Sequence, residues 1–324
     1  MSLSTSATDL IEVRLTAIRY AAKDTNLYEF RRTDGQPLPT TEPGAHIDIH
    51  LPNKITRQYS LVGSGQEPRT YVVGIKRDPG SRGGSSYIHE QMRVGTVLKI
   101  SQPRNNFPLN ERAAHSILFA GGIGVTPIWC MAQRLGSLGK EWKLYYSCRS
   151  RDEAAFLEDL SYFGDDIVTF NFDSENGGKF LDLAGILQDA PRDAHLYCCG
   201  PTPMLKAFEA AAQGAGFPSS QIHVEYFTAA AEAATEGGYV VELARSKREF
   251  LVPAGKRILE VLRDGGFDVT YSCEEGVCGA CETTVISGQP DHRDSILTES
   301  ERVASKTMMI CCSGSKGARL VLDL

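Results

Sequence analysis

The sequence predicts a multidomain protein: an antiparallel β-sheet or barrel, then a doubly wound parallel α/β sheet, then a small cysteine-bearing module. Three observations predict it. Short alternating runs broken by turn residues fill the chain up to residue 112; strand-like runs followed by glycine turns and helical stretches fill 113–228; closely spaced cysteines follow a strand pair and a short helix in 239–324. Alternation marks half-buried antiparallel strands, whereas strand–turn–helix repeats mark a parallel sheet. The Ala- and Glu-rich stretch 229–238 is expected to be a linker.

In the first module the alternating runs are Ile11-Glu12-Val13-Arg14-Leu15, Ala45-His46-Ile47-Asp48-Ile49 and Thr70-Tyr71-Val72-Val73-Gly74-Ile75. On another strand-like stretch, Arg57-Gln58-Tyr59-Ser60, alternation puts Arg57 and Tyr59 on one face and Ser60 on the other. Arg57 suits bidentate phosphate binding and Tyr59 suits a flat ring. In isolation the tetrapeptide reads more readily as a solvated strand with an ion pair. The loop Asp78-Pro79-Gly80-Ser81-Arg82-Gly83-Gly84-Ser85 strengthens the phosphate reading, because it leads into a predicted helix over 86–92. Its glycines let backbone N–H groups face a phosphate at a helix start. An ordinary glycine-rich connection capped by Ser85 or Ser86 is the alternative.

In the second module Ser116-Ile117-Leu118-Phe119-Ala120 reads as a buried strand, followed by Gly121-Gly122-Ile123-Gly124-Val125-Thr126-Pro127. Pro127 stands where the dinucleotide fingerprint would have its last glycine, yet the stretch still supplies a tight turn and a helix start at a strand's C-terminal end, where such sheets bind ligands. Residues 142–147 and 194–198 read as further strands, the second running into Cys199-Gly200-Pro201. Two glycine turns at strand ends point to one dinucleotide lying across both. Cys199 could equally be an inert core thiol.

The third module holds an apolar stripe, Ile258, Leu259, Val261 and Leu262, ahead of Cys273, Cys278 and Cys281, with Cys311 and Cys312 further on. The C-x4-C-x2-C spacing with a distant fourth cysteine is that of a plant-type [2Fe–2S] cluster. Gly276 and Gly279 suit a loop that must wrap a compact core and bring N–H groups to its sulfurs. Cys311 is the expected fourth ligand and Cys312 the fallback. Structural zinc takes two separated ligand pairs, which this spacing fits poorly.

Composition sets the limits. The chain has 324 residues, enough for about two or three domains. It is 42% hydrophobic and 23% charged, an ordinary soluble balance, and its net charge of −6 argues against a nucleic-acid partner. Residues 1–10 are polar and lack the pattern of a signal peptide. The longest apolar stretch, 117–132, is too short and too broken by glycines and Pro127 to span a bilayer. Nine cysteines without a secretion signal predict a reducing compartment, hence the cytoplasm, with no membrane partner.

The ordered set Arg57-Gln58-Tyr59-Ser60, Gly83-Gly84-Ser85, Gly121 to Pro127, Cys199-Gly200-Pro201 and the cysteine array resembles the phthalate dioxygenase reductase family, within the ferredoxin–NADP⁺ reductase superfamily. The resemblance covers nearly the whole chain. It implies a flavin-binding β-barrel, a nicotinamide-binding α/β domain and a C-terminal β-grasp ferredoxin domain. It implies that Arg57, Gln58, Tyr59 and Ser60 bind FMN, that Gly74, Ile75 and Lys76 line it, and that Arg82, Gly83, Gly84 and Ser85 lie near its phosphate. Thr126 and Phe227 would flank the flavin. Gly122, Gly124, Ser147, Arg149, Cys199, Gly200, Pro201 and Met204 would border NADH, and Asp173 would meet its adenosine ribose. FMN rather than FAD follows from the resemblance; the residues alone give both similar weight. Asp173 would repel a 2′-phosphate and so favour NADH over NADPH, although Arg149 and Arg151 could reverse this.

The implied activity is electron transfer from NADH to FMN to the [2Fe–2S] cluster and on to a Rieske-type oxygenase, with no residue needed as general acid or base. Relatives often carry arginine after the final cysteine-serine, where this chain has Gly314, which puts the partner's identity in doubt. A free-standing NADH oxidase or ferric reductase, and a sensing protein with a structural cluster, are the competing readings. His292-Arg293-Asp294 mimics a kinase triplet, but no D-F-G follows, and it is expected to be a polar turn.

Overall fold

The computed structural model describes residues 10–66, 68–80, 83–227 and 232–324. Arg82 and residues 229–231 of the expected linker lie outside these. The chain forms two compact units, 1–225 and 226–324.

The first unit begins with seven antiparallel strands: β1 (Ile11–Ala22), β2 (Thr25–Arg32), β3 (Ala45–His50), β4 (Thr56–Ser60), β5 (Tyr71–Lys76), β6 (Val97–Ile100) and β7 (Arg104–Asn105). Their order is β4-β3-β6-β1-β2-β5, with β7 on β3, and a bridge from Leu61 to Val73 joins the two edges into a barrel. Alternation decides the inside: Ile11, Val13 and Leu15 of β1 are buried while Glu12 and Arg14 are exposed. Helix α1 (Ser85–Gln91) follows β5 and buries Ile88 in the barrel core.

The rest of this unit is a parallel sheet. It comprises β8 (His115–Gly121), α2 (Val125–Ser137), β9 (Glu141–Cys148), α3 (Leu157–Ser161), β10 (Val168–Phe172), α4 (Leu183–Gln188), β11 (His195–Cys199), α5 (Thr202–Gly214) and β12 (Ile222–Glu225). The order β10-β9-β8-β11-β12 reverses direction of growth at β8, so β8 and β11 flank the topological switch point where such sheets bind ligands. Helix α2 seats Val125, Ile128, Met131, Ala132 and Leu135, spaced at helical period, in one buried cluster with Leu118 and Leu144 of the sheet.

The second unit contains β13 (Tyr239–Leu243), β14 (Arg248–Val252), α6 (Ile258–Asp264), β15 (Glu282–Ser287), β16 (Pro290–Asp291), α7 (Glu299–Ala304), β17 (Thr307–Met309), β18 (Gly314–Ser315) and β19 (Arg319–Leu322). A mixed sheet, β14-β13-β19-β15-β17, packs Val241, Leu243 and Leu320 against Ile258, Leu259 and Leu262 of α6, a β-grasp arrangement. Ala234 is buried here, its N–H donating to the Cys312 carbonyl at 2.7 Å, and Thr235 accepts from Gly255 N–H at 2.6 Å. The strands expected at 11–15, 45–49, 70–75, 116–120, 142–147 and 194–198 fall on β1, β3, β5, β8, β9 and β11; their ends agree within one residue, except that β1 runs on to Ala22. Among the described residues no helix is long and apolar enough to cross a membrane.

Candidate functional site

Four thiols converge in the second unit. Cys273, Cys278, Cys281 and Cys311 are all buried, and the side chains of Cys273–Cys278, Cys273–Cys311 and Cys281–Cys311 are in hydrogen-bond contact. The loop is shaped for this. Gly276 and Gly279 have φ of +70° and +75°, a region L side chains avoid. A Cβ on Gly276 would also run into Cys312 Sγ and stand 3.0 Å from Asp294 Cα. Glu275 N–H donates to Cys273 Sγ at 3.3 Å and Ala280 N–H to Cys278 Sγ at 3.4 Å. Arg257, just before α6, donates to the Glu274 carbonyl at 3.1 Å and Arg263 of α6 to its carboxylate at 3.2 Å, fastening the loop. Cys312 turns away, its thiol facing the Met309 carbonyl at 3.7 Å.

The donor set fits an iron–sulfur core. Contact with Cys273 and burial push Cys278 up, and contact with Cys311 and burial push Cys281 up. The Cys273 thiol is lowered by its Cys278 contact, but Cys311 and burial outweigh this and push it up to about 11. Four crowded thiolates therefore require a cationic core among them. Among the described residues no three His, Cys, Asp or Glu side chains form a single-ion site; a two-iron core asks only two thiolates of each iron.

In the first unit β4 carries Arg57 to Gly84. A Cβ on Gly84 would stand 2.7 Å from Arg57 Nε and 2.8 Å from its Cγ, so the guanidinium stem lies flat on the loop before α1. Arg57 Nη1 also donates to the Thr56 carbonyl at 2.8 Å. Tyr59 packs against the barrel core, and burial raises its hydroxyl pKa. Gln58 faces the other way, opposite Asp48 in the register. Arg57 against bare backbone, with Tyr59 two residues on, fits a flat cofactor with a phosphate at one end.

The glycine turns interlock. A Cβ on Gly121 would meet Met204 Sδ and Pro201 Cδ, each at 2.7 Å, and one on Gly124 would enter the Cys199 carbonyl. On β5, a Cβ on Gly74 would stand 2.7 Å from Thr126 Cγ2. The expected flavin strand and the expected nicotinamide turn are thus in direct contact. Thr126 Oγ1 itself bonds the Ile123 carbonyl at 3.0 Å.

Beside this contact lies a cavity of about 700 Å³, a size that suits a bound ligand. Of the residues expected to border NADH, Gly122, Ser147, Arg149, Asp173, Pro201 and Met204 line it, and Gly124, Cys199 and Gly200 form the packed wall behind; Lys76, expected to line FMN, lines this cavity as well. Phe180, Leu181, Leu183 and Pro203 give it an apolar side that sequence reasoning missed. Among the described residues Arg149 has no ion-pair partner, whereas Arg151 is held by Glu175 at 2.6 Å. Phe227 falls in the second unit and is 36% exposed.

The most consequential residue missed is Glu225. Parallel pairing of β11 with β12 sets it beside Cys199. Its Oε2 accepts from Ser60 Oγ at 3.5 Å and from Cys199 Sγ at 3.9 Å. Burial pushes its carboxyl up to about 8, against the opposing pull of these two hydrogen bonds.

Comparison with known proteins completes the picture. Residues 241–315 match the 2Fe-2S iron-sulfur cluster binding domain. Phenoxybenzoate dioxygenase subunit beta of Ectopseudomonas oleovorans is 50% identical over 314 residues, covering 97% of both chains. Tetrachlorobenzoquinone reductase of Sphingobium chlorophenolicum is 47% identical over 325 residues, covering 99% of this chain and all of the other. The solved phthalate dioxygenase reductase, described as a modular structure for electron transfer from pyridine nucleotides to [2Fe–2S], shares 36% identity and a TM-score of 0.75, covering 98% of each chain. The chain belongs to the phthalate dioxygenase reductase family. Like other members of the phthalate dioxygenase reductase family it is an electron-transfer oxidoreductase, with FMN, NADH and a [2Fe–2S] cluster as its cofactors.

Proposed function

We propose that this chain is the NADH-dependent reductase component of a Rieske-type aromatic-ring oxygenase or demethylase. The observation that carries the reading is the contact of Gly74 with Thr126, which supports a flavin and a nicotinamide meeting in the first unit. The bound groups supply hydride acceptance from NADH by FMN and one-electron release to the [2Fe–2S] cluster. The chain's residues supply position. Arg57 and Gly84 would hold the FMN phosphate, with Gly83 and Ser85 beside them; Tyr59, Ser60, Gly74 and Ile75 would frame its ring; Arg82, outside the described residues, is expected at the same phosphate. Gly122, Ser147, Met204 and Asp173 hold the nucleotide, and the Asp173 carboxylate disfavours a 2′-phosphate. Glu225, protonated near neutrality, keeps a buried negative charge away from Ser60. Cys273, Cys278, Cys281 and Cys311 hold the cluster.

The module boundaries that go with this reading are 1–112, 113–228 and 239–324. The five cysteines outside the cluster set form no disulfide, which fits a reducing compartment such as the cytoplasm. The test is an anaerobic NADH titration of purified holoprotein containing FMN, iron and acid-labile sulfide, followed by mixing with purified Rieske oxygenases. Bleaching of the flavin, then of the cluster, then oxygenase-dependent reoxidation is expected; a flavin that NADH cannot reduce overturns the reading.

The tetrachlorobenzoquinone reductase relative and the apolar side of the cavity favour a second reading, direct quinone reduction. NADH, a proton and a quinone would give NAD⁺ and a hydroquinone. It predicts steady-state turnover of a benzoquinone without any oxygenase present.

A further inference from the structure

We propose that Glu153 is a positioning residue that lowers nucleotide affinity by holding the Lys76 ammonium until a dinucleotide pyrophosphate displaces it. The proposal rests on the reading that the cavity takes NADH. Lys76 ends β5 of the barrel, and Glu153 lies in the short turn after β9. Lys76 Nζ and Glu153 Oε2 are 2.6 Å apart, and both residues line the cavity that holds the Gly121-Gly122 turn. The side chains are 31% and 17% exposed, so water screens this pair less than a surface pair.

The turn is fastened to the barrel a second time. Lys23 N–H donates to the Asp152 carbonyl at 2.7 Å, and Lys23 Nζ meets the Asp152 carboxylate at 3.5 Å. The part free to respond to a ligand is therefore the Lys76 side chain, not the turn. A pyrophosphate brings two negative charges into the cavity. It is attracted by Lys76, repelled by Glu153, and competes with Glu153 for one ammonium. Glu153 thus weakens NADH and NAD⁺ alike, and its benefit is prompt release of the oxidised product.

The experiment uses FMN-loaded holoprotein, titrated with NAD⁺ and reduced by NADH in stopped flow. Glu153→Gln is expected to lower both Kd values by about three- to tenfold, the range of a part-shielded ion pair. It is also expected to make NAD⁺ binding fall more steeply with added salt, since the cavity gains net positive charge. In the Lys76→Met background the gain should shrink to the small part due to direct repulsion between Glu153 and the phosphates. A Kd in Glu153→Gln that is unchanged or weaker, or a gain just as large in Lys76→Met, overturns the proposal. Met204→Trp, which fills the same cavity, tests the underlying reading separately. If it leaves Kd unchanged, the nucleotide binds elsewhere and the proposal falls with that reading; if it weakens Kd while Glu153→Gln does nothing, the proposal falls alone.

Discussion

Two neighbouring sulfurs show how much a single position decides. Cys311 enters the thiol cluster, while Cys312 faces the Met309 carbonyl beneath Gly276. Cys311→Ser should therefore remove the visible absorption and paramagnetic signal of the cluster, and Cys312→Ser should keep both; the reverse result would move the fourth ligand by one residue. Glu225 makes a second prediction. Its carboxyl, raised to about 8 by burial, is neutral at pH 7 and charged at pH 9. The rate of flavin reduction by NADH should fall as pH rises through 8, toward about a tenth one unit above that value. Glu225→Gln should flatten the profile, and a wild-type rate constant across that range would remove Glu225 from the hydride step.

Among elements, the glycine turns after β8 and β11 are a mutual fit rather than two independent loops. Gly124 has an ordinary helical φ of −60°, so its need for glycine is steric: a Cβ would collide with the Cys199 backbone. Gly124→Ala should destabilise the first unit by about 1–3 kcal/mol, as overpacking does, read as a lower thermal midpoint for FMN release with the cluster spectrum intact. The strands and this turn were legible because each announces itself locally, by alternation or by glycines at a strand end. Arg57 and Tyr59 were legible for the same reason. Glu225, Glu153 and Phe180 were not, because each acts through neighbours distant in sequence. Parallel register brings Glu225 to Cys199, barrel packing brings Glu153 to Lys76, and the turn after β10 carries Phe180 to the cavity. Gly314 gains its reason in the same way: a Cβ there would stand 2.8 Å from Ala234 Cβ, leaving no room for the arginine expected from relatives.

At the scale of the molecule, buried titrating groups set where the first unit is most stable. His46, fully buried on β3, is pushed down to about 4 by burial and by Arg104, with Asp48 opposing. His223 is pushed down to about 4 by burial and by His195, whose Nδ1 lies 2.9 Å from its Nε2. His50 and His195 are lowered by burial as well. A histidine whose folded pKa is depressed is neutral in the fold while the unfolded chain takes up a proton. Its contribution is complete above about pH 6.5 and is lost as pH falls toward 4, at about 1.4 kcal/mol per pH unit for a fully buried ring such as His46. Glu225 runs the other way: raised from 4.5 to about 8, it adds stability as pH falls from 8 to 4.5. Between pH 6.5 and 8 Glu225 dominates, so acidification over that range stabilises. Below 6.5 one acid is opposed by several histidines, and acidification destabilises. Denaturant midpoints for FMN release should therefore peak near pH 6.5. His46→Asn should shallow the acid limb and Glu225→Gln the alkaline limb, each leaving the other in place. A midpoint still rising at pH 4.5 would mean that these histidines are protonated in the folded barrel and sheet, contrary to their burial.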